Sequence, residues 1–185
     1  MPKQALPAST DQDLYLSWDQ YHDLIEVLAL KVYRSGYVFD SLLCLSRGGL
    51  RVGDVFSRIF DLPLAILAAS SYRQASGTQQ GELNMAQFIT TTANGLHGRL
   101  LLVDDLVDSG VTLAQVAERI RCSYPMVTDL RTAVIWQKAV SRYTPDYCVQ
   151  YLPTNPWIHQ PFEVYDSLGP EALAQQHAQL PTQSA

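Results

Sequence analysis

Three carboxylates follow a short apolar run in the middle of the chain. Residues 100–103 are Leu-Leu-Leu-Val, and the acids after them are Asp104, Asp105 and Asp108; residues 109–112 then read Ser-Gly-Val-Thr. Carboxylates accept hydrogen bonds from sugar hydroxyls and coordinate divalent cations. A glycine lets the backbone approach an anion closely, and hydroxyls add hydrogen bonds. This order of residue types indicates a site for a phosphorylated ligand.

The elements on either side of these acids predict how they are positioned. The apolar run indicates a buried strand over 100–103, and Leu113, Val116, Ala117 and Ile120 fall on one face of a helix. The acids then lie between the end of a strand and a helix N-terminus, where unpaired N–H groups attract phosphate. Taken singly, an acid pair is often solvated and Ser-Gly-x-Thr is often only a helix cap. The combination in this order is more specific.

Strands and helices alternate along the rest of the chain. We predict a helix from a capping box at Ser17 and Gln20 to about Arg34, ended by Gly36. Because the strands are continuously apolar, the predicted fold class is α/β, with a central, mostly parallel sheet flanked by helices. The other predicted elements are strands at 41–46, 62–69, 132–136 and 147–152, a helix after Gly49 with Val52, Val55, Phe56 and Ile59 inward, a β-ribbon within 83–92, and a short helix at 171–178.

Composition limits the class of protein. A length of 185 residues with 47% hydrophobic residues predicts one globular domain, and a net charge of −5 argues against nucleic-acid binding by bulk charge. Cys44, Cys122 and Cys148 lack metal-ligand spacing and suggest reduced thiols. No apolar run approaches the roughly 20 residues that span a bilayer, and the N-terminus lacks a signal-peptide pattern. We therefore expect a cytoplasmic protein without an integral membrane segment.

Residues 100–112 resemble the phosphoribosyl-pyrophosphate (PRPP) motif of type I phosphoribosyltransferases. A second segment, Ser46-Arg47-Gly48-Gly49, resembles the pyrophosphate loop of the members that use 6-oxopurines. In that family this loop often contains a non-proline cis peptide. The resemblance implies a cis or otherwise strained bond between Ser46 and Arg47.

Two further segments extend the resemblance over about residues 17–168. Lys138 stands where purine-using relatives place a lysine on O6 of the base, and Trp157-Ile158 resembles the hood of bacterial xanthine–guanine phosphoribosyltransferases. Relatives often carry an acid after that pair, whereas this chain has His159, which leaves the base preference open. Ser71, Tyr72 and Arg73 are candidates for a flexible loop that closes over the reaction.

The resemblance implies a Mg²⁺-dependent transfer of ribose 5-phosphate from PRPP to a 6-oxopurine. Asp108 would be the general base, Asp104 and Asp105 would hold the ribose, and Asp105 would contact the metal. Ser109, Gly110, Val111 and Thr112 would bind the 5-phosphate together with the acids. A PRPP- or nucleotide-sensing regulator without catalysis, and a phosphoribosyltransferase for another base, remain alternatives.

The predicted domain organisation is simple. We expect a flexible arm at 1–14, one phosphoribosyltransferase domain at 15–170, and a mostly disordered tail at 171–185. The domain would contain a flexible loop at about 70–98 and a hood at about 150–168. Relatives of this kind form homodimers or homotetramers, so we expect a homo-oligomer.

Overall fold

A computed structural model describes residues 13–73 and 80–178 of the chain. Its strands are β1 (Leu14–Tyr15), β2 (Ser41–Ser46), β3 (Leu64–Arg73), β4 (Gln80–Met85), β5 (Gly98–Val107), β6 (Val127–Lys138), β7 (Tyr147–Leu152) and β8 (Ile158–His159). Its helices are α1 (Trp18–Arg34), α2 (Leu50–Ile59), α3 (Val111–Ser123) and α4 (Pro170–Gln176), and a short 3-10 helix spans Glu163–Asp166.

A six-stranded sheet in the order β4-β3-β2-β5-β6-β7 forms the centre of the fold. The neighbours are parallel except for β3 and β4. This confirms the predicted mostly parallel sheet. The carboxyl ends of β2, β5 and β6 therefore meet at one edge of the sheet, where the segments with candidate chemistry follow.

Helices cover both faces of the sheet, which explains why the central strands are apolar at every position. On one face, Leu101 and Val103 belong to a cluster with residues of α1 and α2. On the other face, Leu100 and Leu102 pack in a cluster with α3. Since successive side chains of a strand point to opposite faces, each strand residue is buried on one side or the other.

The first helix begins as predicted. Ser17 Oγ accepts the backbone N–H of Gln20 at 3.2 Å, and Gln20 Oε1 accepts that of Ser17 at 2.9 Å. Gly36, with φ +74°, lies just beyond the end of the helix. Leu28 and Val32 are fully buried, and Leu24 is half-buried.

The inward face of α2 differs from the prediction at one position. Val52 and Phe56 are fully buried, but Ile59 is 54% exposed. The helix ends there, and the following residue, Phe60, takes the inward place. Its ring lies 5.5 Å from that of Phe56 and 4.9 Å from that of Phe39.

Three strands extend beyond their predicted ends, and one of them, β6, runs from Val127 to Lys138 where the sequence predicts a strand at 132–136. β5 continues past residue 103 because its pairing with β6 persists through Asp104, Leu106 and Val107, whereas its pairing with β2 ends at Val103. β3 continues through Ser71 and Tyr72 to Arg73 and forms an antiparallel ribbon with β4. The predicted ribbon therefore lies at the sheet edge and begins at residue 80, and an isolated bridge joins Ile66 to Thr90.

The ends of the described chain are more ordered in places than expected. Of the predicted arm at 1–14, residues 1–12 lie outside the described chain. Leu14, which is described, pairs with Ile158 in a parallel two-stranded sheet of β1 and β8. Helix α4 corresponds to the predicted helix at 171–178, and residues 179–185 lie outside the description. None of the described helices is both long and apolar enough to cross a membrane.

Candidate active site

Residues 46–49, which we call the glycine loop, turn from the end of β2 into α2. The peptide bond between Ser46 and Arg47 is cis, which confirms the prediction for this loop. The Arg47 side chain is 85% exposed and pairs with Asp166 at 3.3 Å. An exposed pair of this kind contributes little to stability, so the guanidinium can exchange this partner for a phosphate.

Both glycines of the loop lie where a side chain would collide. A Cβ on Gly49 would come within 2.7 Å of the Leu45 carbonyl oxygen and 2.9 Å of the Val103 carbonyl oxygen. A Cβ on Gly48 would come within 2.4 Å of Asp105 Oδ1. The glycine loop therefore lies directly against the acid pair, as close as a backbone can approach.

The acid pair, Asp104 and Asp105, is half-buried and held by hydrogen bonds from several segments. The Asp105 backbone N–H donates to Asp104 Oδ1 at 3.0 Å, and the Gly49 backbone N–H also donates to Asp104. Gln160 Nε2 donates to Asp105 Oδ2 at 2.5 Å.

Burial sets the proton affinity of this pair. It raises the pKa of Asp104 well above the ordinary range for a carboxyl group, and the charge of Asp105 raises that pKa further. Burial also raises the pKa of Asp105, whereas the hydrogen bond from Gln160 acts in the opposite direction. Two carboxylates this close favour a positive partner between or beside them.

The acid pair fits a Mg²⁺ ion that is shared with a substrate. Mg²⁺ is bound in such sites by one or two carboxylates together with phosphate oxygens and water. Among the described residues there is no group of three or more His, Cys, Asp or Glu side chains that could hold a metal ion by themselves. Asp105 is thus a residue that could hold such an ion together with ligands from a substrate.

The N-terminus of α3 is open toward the end of β5. Its N-cap is Gly110, with φ +83°, which supplies no capping side chain, and Ser109 Oγ is 3.4 Å from the Val111 nitrogen. A Cβ on Gly110 would lie 2.6 Å from Ser141 Oγ, so the loop after β6 packs tightly against this turn. The first turn of the helix, which includes Thr112, therefore has backbone N–H groups of the kind that bind anions, and its role as a phosphate site stays a prediction.

Lys138 and Asp108 meet at the adjacent ends of β6 and β5. Lys138 Nζ lies 3.6 Å from Asp108 Oδ2, and the lysine residue is only 5% exposed. By spacing alone this lysine would be expected at the surface. Burial of an ammonium group is costly unless it is paired, so the contact with Asp108 fixes its position.

The hood, residues 150–168, places an aromatic side chain at the surface. Trp157 is 47% exposed and Ile158 is 4% exposed. The indole Nε1 of Trp157 donates to Glu163 Oε2 at 3.3 Å, and its backbone N–H donates to Asp13 Oδ1 at 3.2 Å. Trp157 is thus held by hydrogen bonds at both its indole ring and its backbone.

His159 occupies the position where relatives often carry an acid, and two acids surround it. Its Nε2 is 3.2 Å from Asp13 Oδ2, and its Nδ1 is 3.9 Å from Glu163 Oε2. Its ring stacks on that of Tyr15, with centroids 4.1 Å apart and planes 10° apart. The same two carboxylates therefore bind both His159 and Trp157.

Sequence reasoning missed Asp13, Gln160 and Glu163 as members of this site. No local sequence pattern marks them, because each one contacts a residue that only the folded chain brings near, either from a distant segment or across the turn of the hood. Ser71, Tyr72 and Arg73 lie in the last part of β3, where the Cα of Arg73 is opposite that of Gln80. The following residues, 74–79, lie outside the described chain, so the flexible loop stays a prediction.

Comparison with known proteins agrees with this geometry. The model of the family described as "Phosphoribosyl transferase domain" matches residues 17–167. The chain belongs to the phosphoribosyltransferase family. Its fold, with a mostly parallel sheet and flanking helices, is that of the type I phosphoribosyltransferases.

Relatives and solved structures support the same assignment. The phosphoribosyltransferase is 26% identical to a xanthine-guanine phosphoribosyltransferase of Idiomarina loihiensis over 84% of this chain and 90% of the relative. A xanthine-guanine-hypoxanthine phosphoribosyltransferase of Helicobacter pylori superposes with a TM-score of 0.69 at 25% identity, covering 90% of this chain and 99% of the other. A purine phosphoribosyltransferase of Pyrococcus horikoshii gives 0.63 at 26% identity, covering 82% and 93%.

The tethers of the hood make a prediction for Asp13. Asp13→Ala removes a carboxylate that binds both the Trp157 amide and the His159 ring, so β1 and β8 should separate more often. We expect the Leu14 and Leu16 amides, which donate to Trp157 and His159 carbonyls, to exchange with solvent about fivefold faster, since an exposed charged hydrogen bond contributes about 1 kcal/mol. Hydrogen exchange followed by NMR measures this rate.

Asp54→Ala is the matched control, because Asp54 pairs only on the surface of α2 with Arg58. Equal exchange rates of the Leu14 and Leu16 amides in the two variants would contradict the role of Asp13.

Proposed function

We propose that the protein is a purine phosphoribosyltransferase that acts in nucleotide salvage. It transfers ribose 5-phosphate from PRPP to N9 of a 6-oxopurine (guanine, xanthine or hypoxanthine) and releases pyrophosphate. The observation that carries this proposal is the ion pair between buried Lys138 and half-buried Asp108, three residues after the acid pair, since it places a hydrogen-bond donor for a purine edge next to a proton acceptor. The names of the relatives given above support the same substrate class.

The glycine loop and the acids provide the PRPP site. Arg47 forks onto pyrophosphate oxygens, and the backbone amide of Gly48 approaches the same group, while the amide of Gly49 holds Asp104. Asp104 and Asp105 accept hydrogen bonds from the ribose hydroxyls. When bound, Mg²⁺ neutralises charge on the departing pyrophosphate, and Asp105 is the residue that would hold it.

The turn into α3 holds the 5-phosphate. Its open backbone N–H groups point at the anion, and the helix adds a partial positive charge. The hydroxyls of Ser109 and Thr112 complete the cradle. Fixing both ends of PRPP in this way leaves the anomeric carbon facing the purine.

The base lies between the hood and the ends of β5 and β6. Trp157 stacks on the ring, and the Ile158 backbone faces the exocyclic position 2. Lys138 has three N–H donors and forms only an ion pair with Asp108, with Nζ 3.6 Å from Oδ2, so a donor can reach O6 of the purine. Asp108, with a side chain that is 35% exposed, accepts the proton from N7 as the transition state gains oxocarbenium character.

Magnesium dependence, a homodimeric or homotetrameric assembly and a cytoplasmic location belong to the same proposal. They follow from the resemblance to enzymes of this class. Chelation of divalent cations should abolish turnover, and light scattering measures the mass of the assembly.

The direct test is pyrophosphate release by the purified protein with PRPP and Mg²⁺. Guanine, xanthine, hypoxanthine, adenine and uracil are each compared with no base. We expect release with the 6-oxopurines alone. PRPP binding without release for any base would instead identify a sensor, and release with uracil or adenine would identify a phosphoribosyltransferase for another base.

Asp108→Asn tests the general base. The amide cannot accept a proton at neutral pH, so kcat should fall by about 10²–10⁴-fold while PRPP affinity changes by no more than about twofold. Steady-state kinetics and calorimetry measure the two quantities. Asp54→Asn is the control on α2, and a kcat of Asp108→Asn close to that of this control would remove Asp108 from the role.

Lys138→Ala tests recognition of the base. Losing a charged donor to O6 should reduce the ratio of kcat/KM for hypoxanthine over adenine by roughly 10–100-fold. Lys31→Ala is the control, because Lys31 lies on α1 and donates to the Cys148 carbonyl. An unchanged ratio in Lys138→Ala would show that this lysine does not contact the base.

A further inference from the structure

Gln160 is the one hood side chain found to hydrogen-bond the acid pair within the described chain. The residue is only 7% exposed, and its Nε2 donates to Asp105 Oδ2. Its Oε1 is buried and has no hydrogen-bond partner among the described residues. A buried amide with one satisfied and one unsatisfied end is unfavourable for folding alone, so its presence calls for a functional reason.

The surroundings of Asp105 show what Gln160 holds together. Asp105 Oδ2 receives the hydrogen bond from the hood, and Oδ1 lies where a Cβ on Gly48 would be. The carboxylate is therefore fixed between the hood on one side and the glycine loop on the other. A single side chain of β5 joins three segments that are distant in sequence.

A second unsatisfied atom lies in the same environment. Tyr21 Oη is the other buried side-chain polar atom without a partner in the described residues, and its ring packs edge-on against Phe162 of the hood, 5.6 Å away. The charge of Asp105 acts on this hydroxyl and raises the pKa of Tyr21 after the larger effect of burial. Tyr21 Oη is therefore a second unsatisfied buried polar atom, on a residue whose ring contacts the hood.

Gln160 is linked through the backbone and through Glu163 to Trp157. Gln160 follows β8 directly, and its carbonyl accepts the Glu163 N–H at 3.0 Å at the start of the 3-10 helix. Trp157 is three residues earlier and is itself bonded to Glu163. The chain between Trp157 and Gln160 is therefore short and held at both ends, so hydrogen bonds connect Asp105 to the segment that carries the Trp157 ring.

We propose that Gln160 is a positioning residue that couples the PRPP subsite to the purine subsite. By holding Asp105 against the glycine loop, it lets each substrate stabilise the arrangement that the other one binds. This inference rests on the proposed function. Because binding linkage is reciprocal, PRPP should raise purine affinity by the same factor as the purine raises PRPP affinity.

Calorimetry on the full chain tests the coupling. The probes are PRPP with Mg²⁺ and a 9-deaza-6-oxopurine, which has carbon at position 9 and therefore does not accept the ribose through nitrogen. Each probe is titrated alone and in the presence of the other. We expect the wild type to show a coupling factor in the range of roughly 5–150-fold.

Two substitutions remove the hydrogen bond in different ways. Gln160→Met keeps the length and volume of the side chain without a donor, and we expect the coupling factor to fall to about twofold or less. Gln160→Glu also faces Asp105 with a second carboxylate and should weaken PRPP binding by about tenfold or more. Gln175→Met and Gln175→Glu are the matched controls, because Gln175 is exposed on α4 and lies outside the hood.

The outcomes separate the inference from the proposed function. A Gln160→Met protein with the wild-type coupling factor overturns the inference, whether or not both affinities decline, since parallel losses are what a purely structural role produces. If Gln160→Glu does not fold, Gln160→Met carries the test alone. If the wild type binds PRPP but not the 6-oxopurine probe, the proposed function is wrong, and the coupling with it. If the wild type binds both probes and Gln160→Met keeps the wild-type coupling factor, only the role of Gln160 is wrong.

Discussion

The architecture depends on placing two adjacent carboxylates at a half-buried strand end. Desolvation of carboxylates is unfavourable, so Asp104 and Asp105 need donors from their surroundings. Strand β5 can bring them there because its pairing with β2 ends at Val103 while its pairing with β6 continues. The end of β2 is thereby free to turn over the acids, and positions 48 and 49 of that turn must be glycines because Asp105 and the Val103 carbonyl occupy the space of a side chain there.

The donors that satisfy these carboxylates come from two segments that are distant in sequence. The Gly49 amide binds Asp104, and the Gln160 amide binds Asp105, so the glycine loop and the hood are both attached to the end of β5. Burial still raises the pKa of both acids, which means that these hydrogen bonds do not fully replace water. A cation, or hydroxyl groups of a ligand, at the same carboxylate oxygens would replace the remaining lost hydration. The fold therefore leaves Asp104 and Asp105 in a state that a ligand would stabilise.

The parts of this site that could be predicted are those written in local pattern. Strands β2 and β7 begin and end where the apolar runs do, and the acids, the glycine loop and the cis bond follow from contiguous motifs. The contacts that could not be predicted join distant segments, as when Asp13 binds His159 across 146 positions of sequence. The inward place given to Ile59 failed for a related reason, because the core beyond the end of α2 accepts Phe60 instead.

In the hood, contacts from distant segments compensate for a different residue type at position 159. Where relatives often have an acid, this chain has His159, yet Asp13 and Glu163 lie on two sides of its ring. The same carboxylates bind the backbone and indole N–H groups of Trp157. Carboxylates therefore lie beside Trp157 although residue 159 itself is not an acid. Because the pairing of β1 with β8 brings Asp13 to the hood, the segment before the first helix is structurally part of the hood, and the surroundings of His159 include it.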